Sequence, residues 1–145
     1  VGKSFEVRGV SDVLTSLDKL TKKTELAVKT ATSRMASEAE REVKHQIKGH
    51  HKEGTKTPSA VGSPPTNITG TLRASVTHEV KKIGFAEFYA WIGPTAVYGR
   101  AVELGAPNWE SGVTYPFVAP AARKLTESGK LREIYVNTLK SILYK

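Results

Sequence analysis

The stretch that decides the fold runs from Ser11 to Gly49, SDVLTSLDKLTKKTELAVKTATSRMASEAEREVKHQIKG. Within it Val13, Leu14, Leu17, Leu20, Ala27, Ala31, Met35, Ala39, Val43 and Ile47 recur mostly every three or four residues, the period that lines one face of an α-helix. Lysines, glutamates and threonines fill the other side. Neither Gly nor Pro interrupts the pattern before Gly49. The spacing therefore predicts one helix of about 35 residues, roughly 50 Å long at 1.5 Å per residue. Ser11 is placed to cap its start, and Asp12 sits near the positive end of its dipole. The stripe narrows to alanines in the middle, which lets another helix or a sheet approach closely. Thr21–Thr24 is where a break is expected if the helix divides.

On the N-terminal side, Lys3 to Gly9 alternates enough, through Phe5 and Val7, for a short strand. On the other side residues 49–71 read as a loop. Gly54, Pro58, Gly62, Pro64, Pro65 and Gly70 are too dense for a helix or a central strand. A loop of that length is unusual inside a compact domain. Its Lys, His, Gly and Pro content predicts a mobile excursion that orders against a neighbour.

Beyond the loop, Leu72, Ala74, Val76, His78 and Val80 alternate with polar residues, as a half-buried strand does. Lys81–Gly84 is the expected turn, and Phe85–Gly93 a second, aromatic strand ended by Pro94. That strand carries Phe88, Ala90 and Ile92 on one face and Phe85, Tyr89 and Trp91 on the other. It is then either central or turned toward another subunit. Tyr115–Val118 reads as extended, because residues before proline avoid the helical region. Pro120 suits the first turn of a last helix, which Gly129 can kink or split. The whole predicts a single α+β domain over residues 1–145. Its antiparallel sheet is packed by a long N-terminal helix and a C-terminal helix, with the long loop between the first helix and the sheet.

Composition narrows the function. The 145 residues carry 22 basic and 14 acidic side chains, a net charge of +8 that favours polyanionic partners. The excess is spread along the chain, and only Lys44–Lys56 reads as a patch. Lys44, Lys48, Lys52 and Lys56 are the residues expected to face DNA if any do. No cysteine is present, which removes disulfides, thiolate nucleophiles and cysteine metal sites. The sequence contains no apolar run long enough to span a bilayer, so no membrane partner is expected. The first residues, Val1-Gly2-Lys3-Ser4, carry no visible signal peptide, and the absent Met suggests processing.

Catalytic and cofactor motifs are missing. No phosphate loop, dinucleotide fingerprint, zincin helix or nucleophile elbow occurs. His45, His50 and His51 read as helix-end residues and His78 as a structural histidine on its strand. Glu38, Glu40 and Glu42 read as an exposed helical face beside Arg41 and Lys44. The Asn67-Ile68-Thr69 sequon lacks a secretory context. No catalytic residue, metal or cofactor is therefore expected, and the chain does not read as an enzyme.

Two patches carry a resemblance. One runs Pro64-Pro65-Thr66-Asn67-Ile68-Thr69-Gly70-Thr71-Leu72-Arg73-Ala74-Ser75-Val76. The other runs Tyr98-Gly99-Arg100-Ala101-Val102-Glu103-Leu104-Gly105 and continues after about ten residues as Tyr115-Pro116-Phe117-Val118-Ala119-Pro120-Ala121. In this order, with the aromatic strand ending in Gly93-Pro94 between them, they resemble the head–tail connector family of tailed bacteriophages. Its members include minor capsid, neck, tail-completion and tail-to-head joining proteins. The loop before Thr69 is longer and more basic than that family's, and Gly99 stands where the family often has alanine.

The resemblance implies a structural virion protein, assembled in the host cytoplasm as a ring, hexamer or dodecamer, at the head–tail junction. It would contact other connector and tail-tube proteins, and DNA in the channel. Thr69, Gly70, Leu72, Arg73, Tyr98, Glu103, Gly105, Pro116, Phe117 and Pro120 are the motif positions implied to shape the fold or the subunit interface. Arg73 and Glu103 are expected to pair, within one subunit or across two. Phe117, behind Pro116, is expected as a core plug or an interface anchor. The competing reading is a free-standing basic nucleic-acid-binding protein, although the aromatics do not interleave with the basic residues as on a single-strand platform.

Overall fold

The computed structural model describes residues 8–48 and 59–145. Most of the strand expected over Lys3–Gly9 and, from the loop, residues 49–58 with His50, His51, Lys52 and Lys56 lie outside the described residues. The element order is α1 (Val10–Gln46), α2 (Thr71–Ser75), β1 (Val76–Gly84), β2 (Glu87–Pro94), α3 (Gly99–Leu104), α4 (Val118–Ser128) and α5 (Lys130–Leu143). This is the expected α+β arrangement, a long N-terminal helix, an antiparallel sheet and C-terminal helices.

The 37 residues of α1 make a helix of about 55 Å. It starts one residue before the expected cap. Gly9 occupies the cap position and accepts the Val13 N–H at 3.0 Å, while Asp12 lies in the first turn. The helix does not break at Thr21–Thr24. Thr24 donates its hydroxyl to the Leu20 carbonyl at 2.8 Å, so the polar side chain is satisfied within the helix. The alanine section works as its size allows. Ala27, Ala31, Ala36 and Ala39 are buried, and α5, α4, β1 and β2 all pack against α1.

The first of the two strands differs from expectation at its start. Leu72 and Ala74 do not begin it; Thr71–Ser75 forms one helical turn first. Gly70, at φ +79°, sets the chain into that turn, the Ala74 N–H reaches the Gly70 carbonyl at 2.8 Å, and Ser75 donates its hydroxyl to the Leu72 carbonyl. Leu72 reaches the core from a helix as it would have from a strand, so apolar alternation alone does not separate the two. At its far end β1 runs through the expected turn to Gly84. An irregularity between Lys82 and Gly84 accommodates Ile83, and Phe85-Ala86 makes the actual reversal, with Ala86 at φ +48°.

The sheet has these two strands and no third among the described residues. Burial alternates along both. Val76, His78 and Val80 share the inner face, on α1, with Phe88, Ala90 and Ile92; Tyr89 and Trp91 face outward. The aromatic strand is thus not central, and its second apolar face stays open. The core gathers Val43, Ile47, Val76, Phe117 and Ala121, with Leu72, Ile92, Val102 and Val118 around them. Gly129, left-handed at φ +65°, splits the last helix into α4 and α5. The described part of the loop is held to this body. Asn67 N–H bonds to the Lys48 carbonyl at 3.0 Å and Gly62 N–H to the Thr114 carbonyl at 2.8 Å.

Candidate assembly site

The second motif patch forms one capping unit. Four backbone N–H groups at the start of a helix have no partner within it, and no local side chain caps α4. Glu103, carried by α3, accepts three of them: Phe117 and Val118 on Oε2 at 2.7 and 2.9 Å, and Ala119 on Oε1 at 2.9 Å. The fourth position is Pro120, which has no N–H. A carboxylate at the positive end of α4 is also favoured by the helix dipole. The same contact draws Phe117 into the core, where it is fully buried. Pro116 ends the extended approach, and Gly105 closes α3 with its N–H on the Ala101 carbonyl. Glu103 thus acts from a helix, α3, on the start of another, α4.

The expected Arg73–Glu103 pair does not form within the chain, because both oxygens of Glu103 are used by the α4 backbone. Arg73 instead borders a cleft with Arg41, Lys124 and Lys130. The first patch is otherwise structural: Thr69 and Gly70 lead into α2, and Leu72 joins the core edge. Tyr98 begins α3, half exposed, beside Ile68 and Val102. Gly99 has a reason here to be glycine. A Cβ on it would stand 2.5 Å from Cγ of Pro94, so alanine would force α3 away from the end of β2.

Sequence reasoning missed the role of the glutamate row. Glu38, Glu40 and Glu42 are largely buried beneath their partners rather than exposed. Glu38 accepts Arg41 and Lys130; Glu40 accepts Lys44 and His78; Glu42 accepts Gln46 and Lys124. These bonds tie α1 to β1, α4 and α5. The Arg41 hydrogen bond holds the Glu38 carboxyl below its usual range, and those of Lys44 and then His78 do so for Glu40. For Glu42 burial pushes upward, but Lys124, Gln46 and the nearby His45 outweigh it and the carboxyl is lowered. His78 is the structural histidine expected. Lys44 is committed to Glu40, and Lys48 follows the end of α1, exposed.

Two apolar surfaces are left uncovered. All of Val10–Lys22 is exposed, about 20 Å of helix on the N-terminal side of Lys23, whose ammonium donates to the Leu143 carbonyl at the end of α5. Val10, Val13, Leu14, Leu17 and Leu20 line one side of this overhang, each more than half exposed. Elsewhere, Trp91, Pro94, Val97 and Leu104 border an open recess of about 620 Å³ beside Gly99, Val118 and Ala119, on the motif patch itself. Among the described residues, ten apolar side chains are buried, five of them alanine, against eighteen large apolar ones exposed. Scattered exposure is ordinary; a continuous stripe and a contiguous recess are not.

No group of described residues has the composition to hold a metal ion, and no described helix is long and apolar enough to cross a membrane. No family model, curated protein or solved structure matches this chain, so its functional reading stands on its own residues and on the motif resemblance.

Proposed function

We propose that the chain is a structural subunit of a tailed bacteriophage, one copy of a hexameric or dodecameric ring at the head–tail junction that joins or seals the capsid connector and the tail. Either a neck subunit or a tail terminator fits. The observation that carries the assembly reading is an apolar protrusion and an apolar recess on one chain. The overhang of α1 is a knob, and the recess at Trp91, Pro94, Val97 and Leu104 is a socket. A knob on one copy seated in the socket of the next makes a heterologous contact, which closes into a ring when the rotation allows. The ordered motifs support the phage setting.

Magnitudes fit an assembly that forms late. Each stripe side chain is already half buried, so covering it contributes about 1 kcal/mol, or about 5 kcal/mol for the five. That barely offsets the cost of association, some 4–15 kcal/mol. A single contact is therefore weak, and closure of the ring as subunit concentration rises supplies the rest. The direct test adds purified subunit to tailless heads and to free tails. The proposal expects sedimentation with one of them; a subunit that joins neither contradicts it.

A further inference from the structure

We propose that the cleft between the C-terminal half of α1, the α2 turn and the α4–α5 junction is a phosphate site that takes the backbone of duplex nucleic acid. Its volume is about 420 Å³, and Arg41, Lys44, His45, Arg73, Lys124 and Lys130 border it, with the Glu42 carboxylate also in its lining. Of the lysines that the sequence singled out, only Lys44 borders this site, and the site does not depend on ring assembly.

The positive charges here are arranged for a ligand. Arg41, Lys44, Arg73, Lys124 and Lys130 are opposed by Glu38, Glu40 and Glu42, which leaves two positive charges unbalanced. The carboxylates lie underneath. The side chain of Glu42 is 11% exposed against 57% for Lys124, and that of Glu38 is 13% exposed against 46% for Lys130 and 68% for Arg41. An approaching anion therefore meets the cationic rim first. The carboxylates also pre-orient that rim without consuming it. Arg41 uses Nε and Nη2 on Glu38 and retains Nη1, and a lysine ammonium bonded to one carboxylate keeps further donors. Arg73 forms no ion pair among the described residues and has its whole guanidinium to offer a phosphate.

The lining also selects the form of the ligand. Besides the charged groups and His45 it holds only Leu125 and Ser128, with no Phe, Tyr or Trp. A single-strand site stacks bases on aromatic rings, and base readout needs groups that reach base edges. A row of cations without either contacts phosphates alone, so binding is independent of sequence and steeply dependent on salt. The chain's net charge of +8 attracts the same polyanion from a distance.

The test measures fluorescence anisotropy of a labelled duplex of about 20 base pairs with the free, dilute subunit over a range of salt. Because no ring is needed, failure here and failure of the connector reading are separate results. Arg73→Gln and Lys124→Gln should each lower the slope of log K against log salt by about one and weaken binding about eightfold near 0.1 M salt. Arg73→Lys should restore the slope. Lys19→Gln, on the overhang, should change neither. Among the described residues Arg73 has no carboxylate partner to strand, so its substitution should leave the fold intact, which circular dichroism checks. The proposal is overturned by an unchanged slope in Arg73→Gln or by an equal loss in Lys19→Gln. Tighter binding of a single strand also overturns it. So does capture of polyglutamate without DNA, which would mark the cleft as a dock for an acidic protein segment.

Discussion

Glu103 spends its carboxylate on three backbone N–H groups of α4, a bond pattern that makes one side chain responsible for a helix start and for the seat of Phe117. Removing it leaves those donors unsatisfied, one of them beside a fully buried ring. Glu103→Ala should cost about 3 kcal/mol, and Glu103→Gln, with a single acceptor oxygen and no charge, about half as much. In thermal unfolding the alanine variant should melt roughly 10 °C lower. The free subunit already shows this loss, because the contact lies within one chain. Arg73→Ala should leave the melting temperature in place, and losses for the two residues should simply add. The sequence singled out both residues, and the structure gives Glu103 a place in the fold. The pair expected between them does not form within the chain. Opposite charges in two patches suggest a salt bridge, whereas the missing cap of α4 and the N–H-less Pro120 become informative only when α3 is known to lie against that helix start.

At the scale of elements, α1 is the spine, and the glutamate row Glu38, Glu40, Glu42 fastens β1, α4 and α5 to it. All three carboxyls are lowered in the folded chain from an ordinary value of 4.5. Groups of this kind contribute stability that is full above their unfolded value and is lost as pH falls through the folded one. The urea midpoint should therefore hold steady near neutrality and decline below about pH 4.5. Glu38→Gln with Glu42→Gln should lower the midpoint at neutral pH and flatten the acid decline. A variant with the wild-type acid limb would show that other groups govern it. The length of α1 and its alanine section were readable because a 3.6-residue period over ten apolar positions has few alternatives. The row was misread as an exposed face for a related reason. Periodicity identifies the apolar side, but a carboxylate buried under lysines from distant segments carries no local signal. The α2 turn was hidden similarly, since Leu72 and Ala74 satisfy alternation and a helical turn equally.

For the molecule as a whole, the α+β class and the succession of long helix, antiparallel sheet and C-terminal helix followed from the sequence, while the short helices α2 and α3 and the uncovered surface did not. Leu14, Leu17 and Leu20 belong to the apolar stripe, but a stripe shows which side is apolar and not whether the body reaches that far. α5 ends near Lys23, and the three leucines on the N-terminal side of Lys23 are exposed. That overhang and the recess at Trp91 carry the assembly reading, so the decisive measurement is the mass and shape of the purified subunit at rising concentration. It is best made by light scattering beside negative-stain images, with Leu17→Glu as the comparison. Because Leu17 is exposed, its substitution should leave helicity and melting unchanged. The account predicts closed rings for the wild type and single subunits for Leu17→Glu. Single subunits from both at every concentration, or identical rings from both, would contradict it.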